Sequence, residues 1–122
     1  MAKEVVLDTN FILACVKEKI DFIHELQFVG LKVVIPEQIL AEIVKIILSK
    51  EKLKSRKLAE TAVNILERRK FKTVVLRDKD IDRGLEKYVK EHDSMIATLD
   101  RELKKKLKGR VVGIVGKKIE RV

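Results

Sequence analysis

Tryptophan is absent from this chain, and cysteine, proline and tyrosine occur once each. A single cysteine, Cys15, excludes an intramolecular disulfide and a cysteine-rich zinc module. Lying in an apolar run, it is expected as a small buried side chain. Aromatic residues make up only 4% of the chain. Phe11, Phe22, Phe28, Phe71 and Tyr88 follow a pattern that suits core packing, so a base-stacking platform has no support. The two histidines, His24 and His92, lack zinc-ligand spacing and read as helix-surface or helix-end residues. No Gly-x-Gly-x-x-Gly follows the first apolar run, and there is no Walker-type loop, which removes the usual signals of dinucleotide and nucleotide binding. No apolar run reaches the ~20 residues that a membrane-spanning helix needs. The polar start Met1-Ala2-Lys3-Glu4 does not fit a secretory leader. A cytoplasmic protein without a membrane partner is therefore expected.

What the chain does have is charge and apolar periodicity. Its 122 residues suit one compact domain over 1–122, and an apolar fraction of 46% agrees with a globular fold. Charged residues reach 39% while Asn and Gln are scarce, a mixture that suits a heat-adapted source. The formal net charge is +9. The positive excess is clustered at Lys50 to Lys57, Arg68-Arg69-Lys70, Lys104 to Arg110 and Lys117-Lys118, which points to a polyanionic partner such as nucleic acid.

Taken in order, Glu4-Val5-Val6-Leu7 is a strand that stops at Asp8, and a helix begins around Asn10. Asp21 is an N-cap for a short helix that ends before Gly30. Lys32 to Ile35 is a second strand, and Pro36 suits the first turn of the next helix. That helix carries the stripe Ile39, Leu40, Ile43, Val44, Ile47 and Leu48. A charged connector is expected from Ser49 to Lys57, then a helix with Leu58, Ala62, Ile65 and Leu66. Lys72 to Leu76 reads as a third strand. Asp78 or Asp80 caps a helix with Ile81, Leu85, Tyr88 and Val89. Ser94 to Leu99 is a fourth strand ending at Asp100. A basic helix from Arg101 to Leu107 leads through Gly109 to a fifth strand, Val111 to Val115. Strands alternating with helices call for an α/β fold, a parallel sheet of about five strands with helices on both faces.

Ligands of such sheets bind beyond the carboxyl ends of the strands. Asp8 and Asp100 both stand there, and helix capping alone accounts for either one. Glu42 lies at the margin of the apolar stripe of its helix and leans back toward the end of strand two. Asp82 lies in the first turn of the helix after strand three, where an acid also complements the helix dipole. As a set they say more. Four acids follow four different strand ends in a strongly basic chain. Crowded carboxylates repel one another and take up protons unless a cation joins them. Mg²⁺ or Mn²⁺ suits such hard oxygen ligands and serves phosphodiester hydrolysis.

Asp8-Thr9-Asn10 after an N-terminal strand, Glu42 after Ile35-Pro36, Asp82, and Thr98-Leu99-Asp100 together resemble the PIN-domain nucleases over nearly the whole chain. The resemblance implies a Rossmann-like three-layer sandwich with sheet order 3-2-1-4-5. It implies that Asp8, Glu42, Asp82 and Asp100 form the catalytic, metal-binding centre, supported by Thr9, Asn10 and Thr98. The stretch Thr98 to Lys104 looks like that of Fcf-type pre-rRNA processing PIN proteins more than that of VapC toxins. Asp82-Arg83-Gly84-Leu85 departs from the family's small and apolar residues after this acid, which leaves Asp80 as the alternative third acid. Arg101, Lys104, Lys105 and Lys106 follow Asp100 directly and are the expected RNA-binding residues.

The expected activity is that of a metal-dependent endoribonuclease acting on structured or precursor rRNA. The alternatives are a toxin ribonuclease paired with an antitoxin and a non-catalytic RNA-binding assembly factor. A phosphoacceptor domain fits poorly, since it wants its acid after the third strand and is seldom this basic. Phe22 and Phe28, outside the expected stripes, are candidates for a homodimer contact.

Overall fold

A computed structural model describes residues 3–122; the expected polar start at Met1-Ala2 lies outside the described residues. The strands are β1 (Glu4–Leu7), β2 (Lys32–Val34), β3 (Met95–Ala97), β4 (Val111–Val115) and β5 (Lys118–Arg121). The helices are α1 (Thr9–Lys17), α2 (Phe22–Phe28), α3 (Glu37–Ile47), α4 (Leu53–Glu67), α5 (Ile81–His92) and α6 (Arg101–Lys106). Among the described residues no helix is long and apolar enough to cross a membrane.

The strands form one sheet in the order β2-β1-β3-β4-β5, parallel except for the antiparallel pair β4–β5. Successive strand residues face opposite sides of a sheet. Val5, Val6 and Leu7 are all fully buried, as are Ile96 and Ala97, so helices cover both faces of the central strands. That double cover explains why these strands read as continuous apolar runs rather than alternating ones.

The expected third strand is reduced to one bridge, Lys72 to Val34. The reason lies in α3. After Lys72 bonds β2, the Val74 carbonyl accepts from the Glu37 N–H, at 2.8 Å. The Gln38 side chain then brackets Leu76, its Nε2 donating to the Leu76 carbonyl at 2.9 Å and its Oε1 accepting from the Leu76 N–H at 3.0 Å. An extended segment whose partners are a helix start and a side-chain amide stays extended without joining a ladder. It still flanks β2 in the position that the implied order 3-2-1-4-5 requires.

Other boundaries moved. The connector expected over 49–57 is shorter, because α4 begins at Leu53. Pro36 is the N-cap of α3, just ahead of its first turn. The last strand, β5, was not foreseen: a two-residue turn, Gly116-Lys117, reverses the chain with Gly116 at φ +63. Phe28 is 83% exposed rather than in the core. It stands two residues, about 200° of helical turn, from the buried Leu26 and so faces away from the sheet. Phe22, by contrast, is buried, which removes it as a dimer contact.

Candidate active site

The strand register brings the site together. Leu7 pairs with Ala97, so the residues that follow, Asp8 and Thr98, come out of the sheet side by side. Val6 pairs with Val34 on the other side, which carries the chain through Pro36 into α3 and Glu42. A cleft of about 590 Å³ opens beyond this edge. Its walls include Asp8, Thr9, Asn10, Glu42, Asp82 and Asp100. All four expected acids thus reach one cleft from four separate segments.

Two of the acids also cap helices, as expected. Asp8 Oδ1 accepts from the Thr9 N–H at 2.8 Å. Asp100 Oδ1 accepts from Glu102 and Leu103 N–H groups at 2.8 and 3.1 Å. Capping fixes one oxygen of each carboxylate and leaves the second oxygen of Asp100 without a hydrogen bond among the described residues. Asp8 Oδ2 accepts from the Thr98 hydroxyl at 2.8 Å, and the same hydroxyl accepts from the Asp100 N–H at 3.1 Å. The Thr9 hydroxyl donates to Glu42 Oε1. Thr9 and Thr98 therefore hold the carboxylates of Asp8 and Glu42 in place, and Thr98 also anchors the Asp100 backbone. Asn10 lines the cleft but is exposed.

Helix geometry places Asp80 and Asp82 differently. Asp80 is the N-cap of α5, accepting from the Arg83 N–H at 3.1 Å, and does not line the cleft. Asp82, two residues on, does.

Asp8 is only 7% exposed. Burial raises its pKa most, hydrogen bonds from Thr98 and Thr9 oppose that, and Asp82 and Glu42 raise it further. Asp82 is raised by partial burial and then by Asp100, Asp80 and Glu42, with Lys106 opposing. Asp8 and Asp82 thus both feel the charge of neighbouring acids. Among the described residues none of the four is in an ion pair.

That uncompensated, all-oxygen donor set fits a hard divalent cation. As they stand among the described residues, no three His, Cys, Asp or Glu side chains are close enough together to hold a metal ion between them. Asp82 and the second oxygens of Glu42 and Asp100 make no hydrogen bond among the described residues, so they have acceptor capacity to spare.

The expected RNA-binding residues Arg101, Lys104, Lys105 and Lys106 lie on α6, capped by Asp100. None of them lines the cleft itself; Lys106 lies close enough to Asp82 to oppose its pKa rise. Cleft residues that were not foreseen are Lys45, Ile46, Ser49, Glu51 and Ile81. Lys45, Ile46 and Ser49 follow Glu42 by three, four and seven residues, the spacing of one helix face. That signal was available in the sequence. Glu51 comes from the connector, where no periodicity could reveal it.

A family model described as a PIN like domain matches residues 5–118. Among solved structures, the chain is similar to that of the PIN domain endonuclease Utp24, with 24% identity and a TM-score of 0.76 over 98% of this chain and 92% of that one. It is also similar to a domain of a functionally unknown protein from Methanocaldococcus jannaschii DSM 2661, with 19% identity and a TM-score of 0.61 over 99% and 96%. Both likenesses are of fold. Among curated proteins none matches the chain.

Proposed function

The chain belongs to the PIN-like domain family, and from that premise we propose that it is a Mg²⁺- or Mn²⁺-dependent endoribonuclease. The observation that carries this reading is the meeting of Asp8, Glu42, Asp82 and Asp100 in one cleft, with the pKa of Asp8 and Asp82 raised by burial and by their neighbours. Those four residues would hold the cation. The chemistry it supplies when bound is activation of a water and neutralisation of charge on the leaving oxygen.

The protein's own groups do the rest. Thr98 and Thr9 hold Asp8 and Glu42 at fixed angles, so little reorganisation is needed when substrate arrives. Burial of Asp8 excludes bulk water from the floor of the cleft and strengthens its electrostatics. The net charge of +9, with the lysines of α6 just beyond Asp100, draws a phosphate backbone toward an otherwise negative centre. The likeness of Thr98 to Lys104 to Fcf-type proteins favours precursor rRNA as the substrate.

Purified protein incubated with end-labelled RNA tests the reading. Internal cleavage that needs Mg²⁺ or Mn²⁺, stops with EDTA and is lost in Asp8→Asn supports it. Cleavage that survives both chelation and Asp8→Asn would sink the assignment. Salt-sensitive binding without any cleavage would point to an RNA-binding assembly factor instead.

A further inference from the structure

One cation on the cleft wall is unaccounted for by the acids and their companions. Lys45 lines the cleft together with Glu42, Glu51 and the acids at the strand ends. It follows Glu42 by three residues, so both side chains leave α3 on the same side. A lysine in the last turn of a helix complements the helix dipole. That role does not require it to face a cleft with five carboxylates. Nor has the ammonium been taken up by any of them: among the described residues Lys45 is in no ion pair. It is also not among the groups that shift Asp8 or Asp82.

We propose that Lys45 binds a backbone phosphate of the substrate on the α3 side of the cleft. The identity of the substrate rests on the nuclease reading; the anion site does not. An unpaired ammonium is a compact charge with three rotatable donors and takes a phosphate in many orientations. That suits a contact which positions the strand without reading its sequence. Lys50 and Lys52 continue the positive charge past Ser49 and Glu51 into the start of α4, while Arg101 and Lys104 carry it beyond Asp100 on α6. Lys45, itself exposed, is the cation of this set that borders the cleft.

Binding of a fluorescein-labelled single-stranded RNA oligonucleotide, followed by anisotropy over a NaCl series in EDTA, tests the site without cleavage. Lys45→Ala is expected to weaken binding roughly 5- to 10-fold and to reduce the log–log salt slope by about 0.7 to 1, the value of one lost phosphate contact. Lys45→Arg keeps the charge and should restore the slope. Lys32→Ala, at the amino end of β2, is the control and should leave both quantities near wild type. In the metal-activated enzyme, Lys45→Ala should raise KM and leave kcat within about twofold, the pattern of lost uniform binding. Wild-type affinity and slope in Lys45→Ala, or an equal loss in Lys32→Ala, overturns the proposal. If no metal supports cleavage but the Lys45 effect on binding is found, the nuclease reading fails and the phosphate site stands.

Discussion

The Thr98 hydroxyl joins Asp8 to Asp100, donating to Asp8 Oδ2 at 2.8 Å and accepting from the Asp100 N–H at 3.1 Å. It is fully buried at the end of β3, where no water can replace it. Thr98→Val keeps the shape and removes both bonds. Activity should fall roughly 10- to 100-fold, as when a residue that orients metal ligands is lost. Stability should fall by about 1 to 2 kcal/mol, because the Asp8 oxygen and the Asp100 N–H lose their partner. Thr98→Ser should keep most of both. Cleavage kinetics and urea midpoints check this; an active Thr98→Val would mean that Asp8 is held by something else.

Asp82 offers a test in pH. Its pKa is raised in the folded protein, by partial burial and by Asp100, Asp80 and Glu42. A carboxyl whose folded pKa lies above its unfolded one favours folding while protonated. That benefit is complete below the unfolded pKa and is lost as pH rises through the folded pKa. At neutral pH, without metal, ionised Asp82 therefore lowers stability. Asp82→Asn should melt roughly 1 to 4 °C higher in EDTA at neutral pH, a small gain because most of the side chain remains in contact with solvent, which screens the repulsion. The gap should close as pH is lowered into the carboxylate range. A variant that melts at or below wild type at neutral pH would contradict the assigned repulsion.

Divalent cation should reverse that order. If Asp8, Glu42, Asp82 and Asp100 bind Mg²⁺ or Mn²⁺, wild type gains about 2.7 kcal/mol at a hundredfold excess over Kd. Asp82→Asn loses a ligand and should gain less at the same concentration. Differential scanning fluorimetry across an MnCl₂ series reads both. Equal shifts in the two proteins would remove Asp82 from the ligand set.

Gly84, two residues after Asp82, is where α5 meets the segment before it. It is buried in α5, and a Cβ there would meet Leu76 Cβ at 3.0 Å and Leu76 Cδ1 at 3.3 Å. The close approach lets the extended segment before α5 pack on the helix that carries Asp82. Alanine raises helix propensity by about 1 kcal/mol, but the overlap costs about 1 to 3 kcal/mol. Gly84→Ala should therefore be destabilised by up to roughly 2 kcal/mol, with cleavage reduced as Asp82 shifts. A stabilised Gly84→Ala would show that Leu76 gives way freely.

Local patterns made most of the fold and the four acids readable before any coordinates. The apolar run halted by Asp8 and the stripe of α5 each depend on neighbours within a few positions and match the structure. The strand before Asp100 stops earlier, at Ala97, and the stripe of α3 is fully buried only at Ile39 and Ile43, since Val44 and Leu48 are exposed. The 72–76 segment failed as a strand because its partners, the α3 start and the Gln38 amide, lie more than 30 residues away. The β5 strand was hidden because only Ile119 of its four residues faces the molecule; the others are charged and exposed. Register did the rest. Placing Leu7 against Ala97 sets Asp8 beside Thr98, and the packing of α3 and α5 at that edge brings Asp82, Lys45 and Glu51 to the same cleft. Long-range pairing is a property of the closed chain, where side chains from distant segments compete for one space, and no window of neighbouring residues contains that competition.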